Sequence, residues 1–320
     1  MRGAVDQVRQ GRGSGVAGTG GAATGPPGRN ASYAQPCIRS GPRPSSRRIG
    51  RHPRHHHPGG HAARAASGAS RIPVFGFPSI SEGIEAGRRI MVGRLRPAVV
   101  RLYDEKDTQK LASWIDADVE GVLLVLMCDG PSPLVDYEVQ QITQVCGEVG
   151  GTSYGPELGQ LWWDRKYEPF AHGKAPAPPM VFGTTDTCAR FDRLEDIYWA
   201  KKKVIEEGFA EYGATYTAHF SHWFPWGSMI YDRFYVDEAP SDPDEAMALH
   251  DRLWDAAVRA SLENGGTLNE HHGVGVKLGR FMREAHGEAF DLLKSLKAAW
   301  DPDGILNPGK LGFGPPRRMN

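Results

Sequence analysis

No apolar run in these 320 residues approaches the roughly 18 needed to cross a bilayer. The first 30 residues also lack the apolar core of a signal peptide, so the expected location is cytoplasmic. Only four cysteines occur, Cys37, Cys128, Cys146 and Cys188, and none forms a C-x-x-C pair. Their spacing argues against a disulfide framework and leaves buried thiols as the expectation. Lysine is missing altogether from residues 1–70, which hold eleven arginines, one acid (Asp6) and one aromatic residue (Tyr33). The zero formal charge therefore conceals a basic tail on an acidic body, since the other 250 residues carry 27 Lys+Arg against 37 Asp+Glu.

A stretch of Gly, Ala, Pro, Ser and Arg buries too little apolar surface to offset its conformational entropy, so residues 1–70 are expected to form a disordered tail. Arginine without lysine is also what an out-of-frame reading of GC-rich DNA produces, which makes part of this tail a candidate mistranslation. Arginine blocks attract phosphates. Disordered composition is nevertheless the simpler account, and no nucleic-acid partner is expected. His55, His56 and His57 lack further ligands at fixed spacing, so they imply no metal site.

What is present begins near Arg71. "IPVFGFP" (72–78) predicts a short strand, and "SISE" (79–82) is a capping box that opens a helix through Met91. "PAVVRLYD" (97–104) reads as a strand, and "GVLLVLMCDG" (121–130) as a strand buried on both faces. Helices are expected over 131–148, with Leu134, Val139, Ile142 and Val145 inward, and over about 156–169. "HGKAPAPPM" (172–180) breaks the pattern, and "VFGTTDTC" (181–188) resumes it as a strand or exposed loop. From Phe191 to Tyr212 the apolar stripe predicts a helix with Lys201–Lys203 and Glu206–Glu207 toward water. "ATYTAHFSHWF" (214–224) and "SMIYDRFYV" (228–236) form a hairpin through "PWG", and a helix over 243–264 stops at Gly265-Gly266. The fold class is α+β, an antiparallel sheet covered by helices, with a C-terminal helical segment.

Along the second hairpin strand Met229, Tyr231, Arg233 and Tyr235 share one face, while Ile230, Phe234 and Val236 share the other. Tyr231 is either a proton-transfer group or a half-buried packing residue. "NEHHGVG" (269–275) sets His271 and His272 on a glycine turn. Such imidazoles suit acid–base work near neutral pH. The alternatives are solvated loop residues, or metal ligands with His219 and His222. No HExxH-type spacing supports the last, and no metal is expected.

The ending "LLKSLKAAWDPDGILNPGKLGFG" (292–314), with "GGTLNEHHGVG" (265–275), resembles the C-terminal signature of the FAD-linked oxidases of the vanillyl-alcohol oxidase superfamily. "FPSISEGIEA", "PAVVRLYD", "DTCARFDRL" and "GSMIYDRF" extend the resemblance over about 71–314, and the doubled histidine is similar to the alkylglycerone-phosphate synthase branch. The resemblance implies a ferredoxin-like substrate-binding cap over 71–265 and a segment completing the flavin site over 266–320. It implies FAD as cofactor and, in that branch, exchange of an acyl for an alkyl group in ether-lipid synthesis. It makes Tyr231, His271 and His272 catalytic, Arg193 and Arg101 substrate-binding, and His271, His272, Gly273 and Asn307 cofactor-facing. A small-molecule or lipid-precursor substrate, peripheral membrane association and a homodimer are the implied partners. Nothing in residues 1–70 resembles the glycine loop that cradles the pyrophosphate. The chain is therefore expected to lack the FAD-binding domain and to have little FAD affinity of its own. Two other readings stay open: a 2-hydroxyacid or alcohol oxidase of the same superfamily, and an inactive cap acting as a binding module.

Overall fold

The computed structural model describes residues 68–115, 117–167 and 180–314. The expectations for residues 1–67 and for the proline-rich break up to 179 lie outside the described residues.

Eight strands form one antiparallel sheet: β1 (Ala69–Arg71), β2 (Val74–Phe77), β3 (Val99–Tyr103), β4 (Val122–Gly130), β5 (Thr152–Ser153), β6 (Val181–Arg190), β7 (Thr215–Phe224) and β8 (Gly227–Val236). The order is β5-β2-β4-β3-β7-β8-β6, with β1 also paired to β4. Because β1 pairs through Ala69 and Ser70, ordered sheet begins just before the expected end of the tail. Pro73, which has no N–H to give a ladder, separates β1 from β2 along the same partner. The stretch at 181–188, left open between strand and loop, is an edge strand that runs on to Arg190.

Alternation along β4 explains its unbroken apolar run. Val122, Leu124, Leu126 and Cys128 enter one core, while Leu123 and Val125 enter another on the opposite face. The first core is closed by α1 (Ile80–Val92), α3 (Ser132–Glu148), α5 (Phe191–Glu206) and α6 (Pro243–Glu263). The second lies under α2 (Glu105–Ile115) and α4 (Gly155–Arg165), which contribute Leu111 and Trp162. Ser79 caps α1, accepting from Ser81 N–H at 3.2 Å and donating to Glu82. On α3 the buried stripe is Val135, Ile142 and Cys146, whereas Leu134, expected inward, is 61% exposed. Cys128, Cys146 and Cys188 are buried.

The expectation that Lys201 faces water is wrong. On α5 the Lys201 side chain is 1% exposed, its ammonium paired with the equally buried Asp232 of β8 and donating to Thr185 Oγ1 at 2.8 Å. The stripe of α5 points at the sheet, and Asp232 alternates on β8 to the same side as Ile230 and Phe234. A charge on that side therefore needs a countercharge from the helix above.

Helix α2 went unread because Leu111 and Ala112 are its only described buried apolar side chains. Its start is set by Asp104, whose Oδ1 accepts from Asp107 N–H (2.8 Å) while Oδ2 accepts from Ala218 N–H of β7 (2.7 Å). Burial first, and the neighbouring Asp107 second, push the Asp104 carboxyl up to about 7. An unfolded carboxyl ionises near about 4. Between those values the folded chain holds a proton that the unfolded chain has released, so Asp104 costs stability as pH rises. Asp104→Asn is expected to gain on the order of 4 kcal/mol relative to wild type between roughly pH 4 and pH 7. Urea unfolding at both pH values checks this, and a difference that does not change with pH contradicts it.

After α6, Gly265 (φ +86) ends the helix, and α7 (Met282–His286) and α8 (Ala289–Trp300) follow. A third, small core of Leu268, Leu278, Phe281, Met282 and Phe290 packs this segment on Val258 of α6. Among the described residues no helix is long and apolar enough to cross a membrane.

Candidate active site

Over β7, β8 and β6 the second face of the sheet is half-open and polar. Cross-strand register sets His219 opposite Tyr231 and Tyr231 opposite Asp186, so the three side chains share that face. His219 stacks on Tyr231 with ring centroids 4.9 Å apart and planes 15° apart.

The glycine turn is laid across this face from the β6 edge. Thr267 N–H donates to Cys188 O (3.0 Å), and its hydroxyl accepts from Cys188 N–H (2.8 Å), which prolongs the ladder past α6. Asp186 then gathers the next residues. Its Oδ2 accepts from the backbone N–H of Glu270 (2.5 Å) and His271 (3.0 Å), and its Oδ1 from Asn269 Nδ2 (2.9 Å) and His272 Nδ1 (2.5 Å). Gly273 and Gly275 have φ of +82° and +55°, and a Cβ on either would meet nothing within 4 Å. The backbone conformation, not close approach, is what requires glycine there.

The result brings three of the expected residues together. His271 and His272 have centroids 3.9 Å apart, and Tyr231 lies 6.0 Å from His271 and 5.3 Å from His272. Since a carboxylate only accepts, His272 Nδ1 is the donor to Asp186 and Nε2 is its accepting nitrogen. Glu270 Oε2 takes Nδ1 of both His271 and His222 at 2.8 Å. Asp186 is the residue the sequence reading missed. Its signal was an acid at a strand position opposite Tyr231, which no solvent-facing pattern demanded.

Arg101 joins the cluster through His219, its Nη2 donating to Nε2 at 3.1 Å. His219 Nδ1 stands 3.6 Å from Asp107 Oδ2, and burial drives this imidazole down to about 4, so it is neutral near pH 7. Arg193 is not brought there. It sits on α5, over the opposite face of the sheet, with its guanidinium 3.6 Å from Asp196 and its side chain 55% exposed. Asn307 (φ +46) is exposed in the C-terminal loop, where its carbonyl accepts from Lys310 N–H at 3.3 Å. That loop reaches the glycine turn through Leu311 N–H to Gly275 O, 2.9 Å.

Beside His272, a cavity of about 270 Å³ opens between β6, α6 and the turn, lined by Thr184, Asp186, Trp254, Leu268 and Lys277. No metal spacing is present in the sequence. In three dimensions the donor atoms of Asp186, His271 and His272, and those of His222, Glu270 and His271, lie within 4.8 Å of one another. In both sets the imidazole Nδ1 atoms already pair with carboxylates.

The domain is α+β, an antiparallel sheet packed by helices with a phenol and imidazoles gathered on one half-open part of its surface. The family model described as FAD linked oxidases, C-terminal domain, matches residues 68–311, and the chain belongs to that family. The family's enzymes are FAD-dependent. The chain is 26% identical over 267 residues to the alkyldihydroxyacetonephosphate synthase of Trypanosoma brucei brucei, covering 75% of this chain and 43% of that protein. It is 23% identical over 248 residues to a mitochondrial cytochrome D-lactate dehydrogenase of Arabidopsis thaliana, covering 76% and 42%. A solved alkyldihydroxyacetonephosphate synthase shares the fold with a TM-score of 0.57 at 20% identity, over 76% of this chain and 46% of that one. A p-cresol methylhydroxylase with substrate bound gives 0.56 at 16% identity, over 77% and 53%. The chain thus spans under half the length of these curated relatives.

Proposed function

We propose that this chain is the substrate-side half of a cytoplasmic FAD-dependent enzyme acting on a small anionic molecule, and that it exchanges an acyl for an alkyl group as in ether-lipid synthesis. The observation that carries the reading is the convergence of Tyr231, His271 and His272 on one half-open face, held by Asp186. That face fits one side of a flavin ring, being aromatic, polar and supplied with a buried nitrogen, His219 Nδ1, whose neighbour Asp107 Oδ2 stands at 3.6 Å, beyond normal hydrogen-bond distance. His271, His272 and Gly273 are the residues that would lie against the ring, while the remainder of the cofactor calls for an FAD-binding domain as partner. FAD, when bound, supplies the electron-accepting chemistry. Tyr231 Oη holds and moves the proton at the substrate's reacting carbon. His272, oriented at Nδ1 by Asp186, presents Nε2 to accept one. A lipid-precursor substrate brings peripheral membrane contact with it, and a homodimer is the assembly in keeping with the resemblance.

The likeness to D-lactate dehydrogenases favours a second reading, oxidation of a 2-hydroxyacid on the same residues. The two separate on products. The chain, supplied with FAD and an FAD-binding half, is assayed with acyl-dihydroxyacetone phosphate plus a fatty alcohol, and with D-lactate plus an electron acceptor. Fatty-acid release without net reduction of acceptor supports the exchange reading, and acceptor reduction supports the other. Inactivity in both, with flavin bound, leaves the cap as a binding module. In whichever assay is positive, Tyr231→Phe is expected to lower kcat by roughly 100-fold or more. Unchanged kcat removes Tyr231 from the reaction.

A further inference from the structure

The cavity beside His272 is bounded on α6 by a stripe that the proposed reaction does not use. His250, Trp254 and Val258 recur at helical spacing, so they face the turn together. Opposite them the backbone tightens, Leu278 N–H donating to Val274 O (3.1 Å) and Gly279 N–H to Val276 O (3.2 Å), which holds Lys277 over the stripe. Its Nζ stands 3.4 Å from the centre of the Trp254 ring and 3.1 Å from His250 Nδ1. We propose that Lys277 is a nucleophilic amine with His250 as its proton acceptor, and that the cavity admits a short aliphatic aldehyde which Lys277 binds as an imine. The site borders the reaction face through His272 and does not depend on the reaction assigned to that face.

Three observations carry it. Lys277 shares the cavity wall with Trp254, Val258, Leu268, Val274 and Leu278, and about 270 Å³ is at the small end for a ligand pocket, so an apolar chain of a few carbons fits. A lysine placed only for an ion pair would turn onto its carboxylate. Here Asp251, the carboxylate within ion-pair reach among the described residues, stands 3.8 Å away and half exposed, Asp255 is paired with Arg280, and the ammonium is turned onto a ring and an imidazole instead. Burial pushes the amine down to about 8, Arg280 adding to the effect while Asp251 and Asp255 oppose it. Burial and then Lys277 itself also lower the His250 imidazole, which keeps it neutral and able to accept a proton. Desolvation beside a second cation is a general route to a nucleophilic lysine near neutral pH. At about pH 8 roughly half of the Lys277 amine is neutral, against roughly 1 in 250 for an ordinary lysine.

The chemistry balances without oxidant or reductant. The neutral amine adds to the carbonyl carbon, the C=O π pair moves to oxygen, and one nitrogen proton passes through His250 to that oxygen. The second nitrogen proton leaves with the hydroxyl as water, and the C=N bond remains. Amine and aldehyde thus give imine and water, and the step reverses when the aldehyde is withdrawn.

The test exposes the full chain briefly to propanal at about pH 8, reduces any imine to a stable amine with borohydride, and follows each lysine by peptide mass. Lys277 should be modified at least tenfold faster than Lys110, whose amine burial also lowers but which lies over the Tyr235 ring, away from the cavity. The same aldehyde function carried on dextran, which cannot enter the cavity, should show no preference for Lys277. His250→Phe keeps a ring against Phe234 and Trp254, and should slow the modification at least tenfold. In a chain carrying isotope-labelled lysine, the Lys277 Cε signal should titrate with a midpoint near 8. Modification no faster than at Lys110, an equal preference with the dextran aldehyde, an unchanged rate in His250→Phe, or a midpoint at the ordinary lysine value overturns the proposal.

Discussion

Asp186→Ala is expected to destabilise the chain by about 3–5 kcal/mol and to release the glycine turn from the sheet. The carboxylate of Asp186 is 5% exposed as a residue and accepts two backbone N–H groups, one amide and one imidazole from consecutive residues of the turn. Its removal strands all four donors at once, and each was worth more than a neutral hydrogen bond because the acceptor is charged. Denaturant unfolding gives the free energy. The imidazole signals of His272, now without its Nδ1 partner, and of His271, whose backbone N–H has lost its acceptor, should broaden or collapse to a single averaged position. Asp186→Asn is the milder companion: it keeps one accepting oxygen and substitutes a donor for the other. Near-wild-type stability and unchanged imidazole signals in both variants would remove Asp186 from its place as organiser of the site.

The second large effect belongs to the opposite face. Lys201→Met is expected to cost about 3–5 kcal/mol, since Asp232 is then buried without its countercharge. Burial already raises the Asp232 carboxyl even with Lys201 present, so the variant meets its loss partly by taking up a proton. The double variant Lys201→Met with Asp232→Leu should recover most of the loss, because two apolar groups of similar size avoid the desolvation that the ion pair overcomes. Chemical unfolding of the two single variants and the double completes the cycle. Additive losses would show that Lys201 and Asp232 are not energetically coupled.

The parts of the fold that sequence made legible are those where one physical signal dominates. The seven consecutive apolar residues of β4, Val122 to Cys128, read as a strand buried on both faces, and the cores on its two sides bear that out. The hairpin of β7 and β8 and the stop at Gly265 followed from turn chemistry. What stayed hidden was long-range pairing. Lys201 stands in a run of three lysines and reads as solvent-facing, and only the position of Asp232 across 31 residues makes it a core residue. Helix α2 depends on an acid, Asp104, whose second partner lies 114 residues away. At the site the same division holds. Tyr231, His271 and His272 were found through strand alternation and resemblance. Asp186, which joins them, was not, because its partners come from a turn 83 to 86 residues later. Arg193 was placed by motif alone, and alternation puts helix α5 over the other face of the sheet.

The account's central claim is that the half-open face carrying Tyr231, His271 and His272 meets a flavin ring. Lumiflavin, the ring without its phosphate tail, tests this in the chain as it stands, since binding then depends on the face alone. Nuclear Overhauser contacts should run from the ring methyl protons to the side chains of His271, His272 and Tyr231, and Asp186→Ala should abolish them. Contacts confined to the Trp254 and Lys277 cavity, or none with the chain folded and lumiflavin in excess, would contradict it.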